Sequence, residues 1–279
     1  MTLALTISLP DRYHELLMAE LADLGFEAFE EAGHGQLVAY GPLRVWGDVP
    51  REQVEGWLAH HDLPIQMTEE TVEEQNWNAQ WEATIRPLVA GDFVVRPTWS
   101  DKADEHEGKI ELLIDPKMSF GTGHHESTRL VLRLLPPHVR KGAAVLDAGC
   151  GTGVLAVAAL KLGAAHALGF DIDPWAERNA VENAELNGVA DRFEVREGSL
   201  EVVPETGFDL CLANINLNAH RELVPGLVER LAPGAPLIMA GLLRTDQEAI
   251  AEILARSGYR ITEEAVENEW MALVALPNA

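Results

Sequence analysis

The chain has 279 residues with a formal net charge of -24 at pH 7, and 47% of its residues are hydrophobic and 24% charged. This length allows one large domain or two ordinary ones, and the composition is that of a globular protein with a substantial core. The charge argues against a broad nucleic-acid-binding surface, because phosphates would be repelled. No stretch is apolar enough for a membrane helix, and Cys150 and Cys211 provide neither a disulfide framework nor a metal finger.

The excess of acidic residues has two interpretations. General solvation of the surface, as in a salty cytoplasm, is the simpler one, and electrostatic steering of a lysine-rich partner is the other.

The N-terminal segment has no basic stretch before its apolar residues, which alternate as in a strand. We therefore expect a cytoplasmic protein.

Residues 1–73 are predicted to form a first domain. Alternating and helical patterns place four strands and two helices in the order β-α-β-β-α-β, with strands at 2–9, 26–31, 36–46 and 63–72 and helices at 10–25 and 50–62. This order is typical of the ferredoxin-like, split βαβ pattern. Such domains often bind partners, but the fold alone assigns no function.

Residues 74–90 are predicted to form a helical linker, and residues 91–279 the second domain. In the linker, Trp77 and Trp81 stand four apart on one helical face, where packing against a domain is the simpler interpretation. Two strands over 92–99 and 109–115 follow, separated by a charged loop. A glycine-bearing turn then leads into a helix.

From residue 143 onwards, strands and helices alternate. This alternation predicts a doubly wound α/β domain with a seven-stranded, mostly parallel sheet of the Rossmann-like class. Two closing strands, over 259–264 and 269–276, are joined by a short link and indicate an antiparallel hairpin at one edge.

The segment VLDAGCGTG, residues 145–153, is the predicted core of a cofactor site. Its glycines Gly149, Gly151 and Gly153 permit a tight turn at the carboxyl end of a strand, where doubly wound sheets bind ligands. The third glycine of a dinucleotide fingerprint would stand at position 154, which is Val154. Asp147 precedes the turn, where it could reach the amino group of a methionine-type cofactor or fix the loop.

An acidic residue at the end of the next strand narrows the choice of cofactor. Asp171 is placed to accept hydrogen bonds from both ribose hydroxyls, and it could also cap the following helix. Together with the turn and the element order, it favours S-adenosylmethionine and a methyltransferase. We include Ile172, the next residue, in the predicted cofactor site.

The fourth strand ends at Asn214, which we predict to position an amine substrate. Many nitrogen methyltransferases carry Asn-Pro-Pro-aromatic at this place, whereas this chain has Asn-Ile-Asn-Leu at 214–217. The missing prolines count against adenine or glutamine as the substrate. The adjacent His124 and His125 lack metal-ligand spacing, and a capping or substrate-side role is the better interpretation.

The motifs DPKMSFGTGHHESTRL, VLDAGCGTGVLAVAALKLGA, GFDIDP, NAELNGV and LANI together resemble the PrmA family, methyltransferases of large-subunit ribosomal protein eleven. The resemblance covers essentially the whole chain. It implies an N-terminal module that recognises the ribosomal protein, a linker that lets it swing, and methylation of the α-amino group and lysine ε-amino groups. By motif position, it implies cofactor contacts from Thr128, Gly149, Asp171 and Asn214, with Phe120 and the 121–123 turn covering the cofactor.

The expected chemistry is in-line transfer from a sulfonium to a neutral amine. A closed pocket of low dielectric would lower the amine pKa, and positioning by Asn214 is the main expected source of rate. We expect a monomer that acts on a basic protein, without direct contact to nucleic acid or membrane. A methyltransferase for another protein, a small molecule or RNA is the alternative.

Overall fold

The computed structural model describes residues 2–33, 35–72, 86–100, 107–115 and 123–278. The chain separates into two compact units, Met1–Gln80 and Trp81–Ala279. The helices of the described residues are all too short or too polar to cross a bilayer.

The N-terminal unit is an antiparallel sheet with two helices. Leu3, Leu5 and Ile7 alternate along β1 and are buried, and they form one core with apolar residues of the helices. Its strands are β1 (Thr2–Ser8), β2 (Ala28–Glu31), β3 (Gln36–Pro42) and β4 (Met67–Val72), and its helices α1 (His14–Asp23) and α2 (Asp48–His60). The strand order β2-β3-β1-β4 places β1 between β3 and β4, so the predicted βαββαβ element order is observed.

A small sheet in the second unit corrects one boundary. Leu88–Ala90, which we predicted to end the helical linker 74–90, instead forms strand β5 and pairs with β6 (Phe93–Arg96). The turn between them is Gly91–Asp92, with φ +58° at Gly91, and glycine in such a turn between apolar runs is a hairpin signal. Strand β7 (Ile110–Leu113) pairs parallel to β6. The rest of the predicted helix, residues 74–85 with Trp77 and Trp81, lies outside the described residues.

The large sheet has seven strands in the order β10-β9-β8-β11-β12-β14-β13 and confirms the predicted fold class. Its strands are β8 (Ala144–Ala148), β9 (His166–Asp171), β10 (Phe193–Glu197), β11 (Leu210–Asn214), β12 (Leu237–Leu243), β13 (Tyr259–Glu267) and β14 (Trp270–Pro277). Neighbouring strands are parallel except where β14 pairs with β12 and with β13. The hairpin strands run longer than predicted, so that the turn is at 268–269.

Helices cover both faces of this sheet. They are α3 (Glu126–Leu134), α4 (Val154–Lys161), α5 (Pro174–Leu186), α6 (Leu217–Arg230) and α7 (Gln247–Arg256). Successive residues of β8 point to opposite faces, so Val145 and Leu146 join two different apolar cores. Because β8, β9 and β11 run parallel, the segments after Ala148, Asp171 and Asn214 meet at one edge of the sheet.

Candidate active site

The glycine turn after β8 is fixed to the end of β9. The backbone N–H groups of Gly149 and Cys150 both donate to the carbonyl oxygen of Phe170, at 2.9 and 3.1 Å. Gly149 has φ +67°, and a Cβ on it would lie 2.5 Å from Cγ2 of Ile215. Position 149 therefore requires glycine for its conformation and for its contact with the residue that follows Asn214.

Asp171 holds the same turn with its carboxylate. Oδ2 accepts a hydrogen bond from the Gly151 N–H at 2.9 Å, and Oδ1 accepts one from the Asp173 N–H at 3.0 Å. The N-cap of α5 is Asp173, which accepts from the Trp175 N–H, so the capping role considered for Asp171 belongs to Asp173. Ile172 is 78% exposed directly beside this carboxylate.

Asp147 is a buried carboxyl beneath the turn. Its Oδ2 accepts from the Ala156 N–H of α4 at 3.1 Å, whereas its Oδ1 is buried without a hydrogen-bond partner among the described residues. Burial raises the pKa of Asp147 to about 7, and the nearby charge of Asp171 also raises it. An unpaired buried oxygen of this kind fits a cationic ligand group, because an ammonium would satisfy it.

Thr128 and Asn214 are brought together although 86 residues separate them. Thr128 lies in the first turn of α3 and is 1% exposed, and its Oγ1 is 3.2 Å from Nδ2 of Asn214 at the end of β11. The contact of Gly149 with Ile215 places the Asn214 strand end beside the glycine turn. The predicted residues Thr128, Gly149, Gly151, Asp171 and Asn214 therefore share one edge of the sheet, while Phe120 lies outside the described residues.

The first turn of α3 is pinned to the β13–β14 hairpin. Arg129 donates from Nε to Glu267 at 2.8 Å and from its Nη1 to the His124 carbonyl, and Asn268 donates to Glu126 at 3.1 Å. Trp270 stands edge-on to His125, with ring centroids 4.4 Å apart. These contacts were not predicted, because nearly 140 positions separate α3 from the hairpin and no local sequence pattern connects them.

The two histidines before α3 take structural roles. Nδ1 of His125 accepts from the Ser127 N–H at 3.3 Å and caps the helix, and the Nε2 of His124 is 2.8 Å from the Arg86 carbonyl. Within the described part of the chain, three potential metal ligands do not cluster anywhere.

The residues after Asn214 are held by contacts with α6 and β12. Asn216 caps α6 by accepting from the Ala219 N–H at 3.0 Å. Nε2 of the buried His220 lies 2.9 Å from the Ala240 carbonyl, and burial lowers the pKa of His220 to about 4, so the ring is neutral and donates. Gly241, which the sequence analysis also missed, has φ +77° and abuts the Ile215 backbone.

The arrangement fits a nucleoside sulfonium cofactor with an amino-acid end. Asp147 offers an acceptor for an ammonium, Asp171 offers carboxylate lone pairs at the strand end, and Ile172 exposes an apolar surface for a flat ring. The helix α4 also directs its N-terminus at this turn.

The comparisons with known proteins agree with this geometry. The family described as ribosomal protein L11 methyltransferase (PrmA) matches residues 50–277. A protein of that name from Thermus thermophilus is 44% identical over 214 residues, covering 76% of this chain and 82% of its own length. One from Chlorobaculum tepidum is 36% identical over 269 residues, covering 95% and 92%.

Among solved structures, the ribosomal protein L11 methylase from Lactobacillus delbrueckii subsp. bulgaricus is similar, with a TM-score of 0.66 and 28% identity. The match covers 70% of this chain and 100% of that one. The family match spans both the glycine turn and Asn214. The chain therefore belongs to the PrmA family of ribosomal protein L11 methyltransferases.

Proposed function

We propose that this chain transfers methyl groups from S-adenosylmethionine to the α-amino group and to lysine ε-amino groups of ribosomal protein L11. The observation that carries the proposal is the Asn214 carboxamide, held by Thr128 and placed beside the glycine turn through Ile215. The relatives that match most of the chain bear the name of that activity.

S-adenosylmethionine is the cofactor, and when bound it supplies a methyl group on a sulfonium. We assign Asp147 to its ammonium, because Oδ1 is a buried acceptor without a partner among the described residues. We assign Asp171 to the ribose, Ile172 to the adenine face, and the backbone of Gly149 and Gly151 to the wall of the site. Thr128 and Phe120 complete the proposed set by motif position.

In this proposal, Asn214 acts by positioning. Its Nδ2 faces Thr128, which leaves Oδ1 to accept an N–H of the amine and aim the nitrogen lone pair at the methyl group. A free lysine has a pKa of about 10.4, so the site must favour the neutral amine, and removal from water does this. His220 is fully buried, and burial lowers its pKa to about 4, so it is too weakly basic and too inaccessible to deprotonate the substrate.

We further propose that residues 1–73 recognise the substrate. Residues 1–66 carry 3 basic and 11 acidic residues, which suits a basic protein and disfavours RNA. The core of this unit is separate from the two cores of the catalytic unit. Deleting residues 1–73, which removes all four strands of this unit, should therefore leave S-adenosylmethionine affinity within about two-fold by calorimetry and abolish methylation of L11. Full activity of the truncated protein would contradict this role.

The main experiment is to incubate the protein with labelled S-adenosylmethionine and purified L11 and to locate the methyl groups by mass spectrometry. We expect methyl groups on the N-terminal amine and on lysines. At saturating cofactor, Asn214→Ala should lower turnover by about 100-fold, as expected for a mispositioned amine. Asn218→Ala is the matched control, because Asn218 is exposed on α6 and contacts Arg221. Transfer to RNA or to a small molecule instead of L11 would overturn the proposal.

A further inference from the structure

The five residues of the glycine turn are each anchored through their backbone. Three anchors come from β9, because Phe170 accepts from Gly149 and Cys150, and Asp171 accepts from Gly151. The Gly153 N–H closes back onto the Cys150 carbonyl at 2.8 Å. A further anchor comes from α5, where Nδ2 of Asn183 donates to the Thr152 carbonyl at 3.0 Å.

Asn183 is a fully buried amide on α5 whose hydrogen-bonding groups are all used. Besides Thr152, it accepts at Oδ1 from the Asp115 N–H at 2.9 Å and donates from Nδ2 to Oδ1 of Asn179 at 3.3 Å. A backbone carbonyl can only accept and a backbone N–H can only donate, so these partners fix which way the amide faces. A buried amide satisfied in this way resists rotation, because turning it over would leave both backbone groups unpaired.

The same side chain joins two separate parts of the catalytic unit. Asp115 lies two residues after the end of β7, and its carboxylate accepts from the N–H and hydroxyl of Thr98 at 2.8 Å each. Asn183 therefore connects the small sheet to the glycine turn of the large sheet. One helical turn later, Asn187 exchanges two hydrogen bonds with Leu113 but does not contact the glycine turn.

We propose that Asn183 is a positioning residue for the cofactor, which holds the Thr152 peptide so that the glycine turn is shaped before S-adenosylmethionine binds. It acts through the turn and touches neither the cofactor nor the substrate. A turn held both by β9 and by Asn183 of α5 loses little conformational freedom on binding, and this favours affinity. The inference rests on cofactor binding at this turn and is independent of which amine is methylated.

The experiment compares Asn183→Leu with Asn187→Leu in the full chain. The first substitution replaces an asparagine within α5 and the second the asparagine at its C-cap, each with a side chain of similar size. Both remove three hydrogen bonds, since Asn187 also donates to the Asn183 carbonyl. Melting temperatures should fall for both variants. Calorimetric titration with S-adenosylmethionine should show a Kd at least ten-fold higher for Asn183→Leu and within two-fold of the unmodified protein for Asn187→Leu.

If the two variants change the Kd by the same factor, or if Asn183→Leu raises it less than ten-fold, Asn183 is a structural residue only and the inference is wrong. Asn179→Ala provides a milder test should Asn183→Leu not fold. It removes one acceptor from the Asn183 amide and should raise the Kd about three-fold, while an unchanged Kd would overturn the proposal. Because the readout is cofactor binding, failure of L11 methylation would leave this result unaffected.

Discussion

Replacing Gly241 with alanine tests whether the contact between β12 and the Ile215 backbone sets the position of Asn214. A Cβ at position 241 would overlap the Ile215 carbonyl oxygen and lie 2.9 Å from its carbonyl carbon and 3.1 Å from its nitrogen. These are backbone atoms, so they cannot rotate away as a side chain could. The Ile215 peptide must shift, and Asn214 is the adjacent residue.

Gly258 provides a control with nearly the same backbone conformation. Its φ is +76° against +77° for Gly241, but a Cβ at position 258 would meet nothing within 4 Å. Alanine at positive φ costs about 1–2 kcal/mol of stability, and this cost is common to both variants. Overpacking adds about 1–3 kcal/mol at position 241 alone, so Gly241→Ala should lose about 2–5 kcal/mol and Gly258→Ala about 1–2 kcal/mol.

The two variants should also differ in activity. A shift of about 1 Å at a positioning group lowers turnover by about 100-fold, so Gly241→Ala should lose most of its methyl transfer and Gly258→Ala should keep it. Urea unfolding gives the stabilities, and steady-state rates at saturating cofactor give turnover. Equal losses of stability in the two variants, or normal turnover in Gly241→Ala, would refute the reasoning.

Three further predictions concern titratable groups of the site. Burial raises the pKa of Asp147 in the folded protein to about 7, whereas the pKa of an aspartate in the unfolded chain is about 3.9. The neutral carboxyl therefore contributes stability below pH 4, and this contribution is lost as the pH rises towards 7. The stability of the cofactor-free protein relative to Asp147→Asn should therefore fall by up to about 4 kcal/mol between pH 4 and 7 in urea titrations, and a constant difference would contradict this. Asp171→Asn replaces one of the two carboxylate oxygens that accept backbone N–H groups with an amide nitrogen, which cannot accept. This variant should raise the S-adenosylmethionine Kd by about 10- to 100-fold in calorimetry. An unchanged Kd would show that the carboxylate is not part of the cofactor site. Burial raises the pKa of both Cys150 and Cys211, so neither thiol should react with iodoacetamide at pH 8 until the protein is unfolded, as mass spectrometry would reveal.

Local patterns accounted for the elements of the sheet and for the cofactor turn. Apolar strands, helical periodicity and glycine spacing are each contained in a segment of about ten residues, so each can be recognised from that segment alone. Gly149, Asp171 and Asn214 follow or end parallel strands, and the carboxyl ends of parallel strands meet at one edge of the sheet. Their proximity could therefore be predicted from the strands alone. The motif resemblance assigned Thr128 and Asn214 to the same cofactor site, but their hydrogen bond was not predicted, because a periodic pattern carries no information on a contact over 86 positions.

The parts that the sequence analysis missed depend on contacts between distant segments. Strand β5 has only three residues, too few to show an alternating pattern, and its Gly91–Asp92 turn was the available signal. The Arg129–Glu267 pair and the role of Gly241 depend on how α3 and β12 pack, which no short window contains. Asn183 begins the NAELNGV motif of the resemblance, but its contact with Thr152 depends on how α5 packs and could not be predicted.

The hairpin that pins α3 also has a consequence for the order of assembly. Arg129 and Glu267 are 138 positions apart, and a chain is synthesised from its N-terminus. The glycine turn and Asp171 lie within residues 144–197, whereas the hairpin residues that pin the first turn of α3 are synthesised about 140 residues after it. Closing such a long loop is slow, because its entropy must be overcome before the contact contributes. We expect a newly made chain to acquire its Thr128–Asn214 pair as one of the last steps of folding.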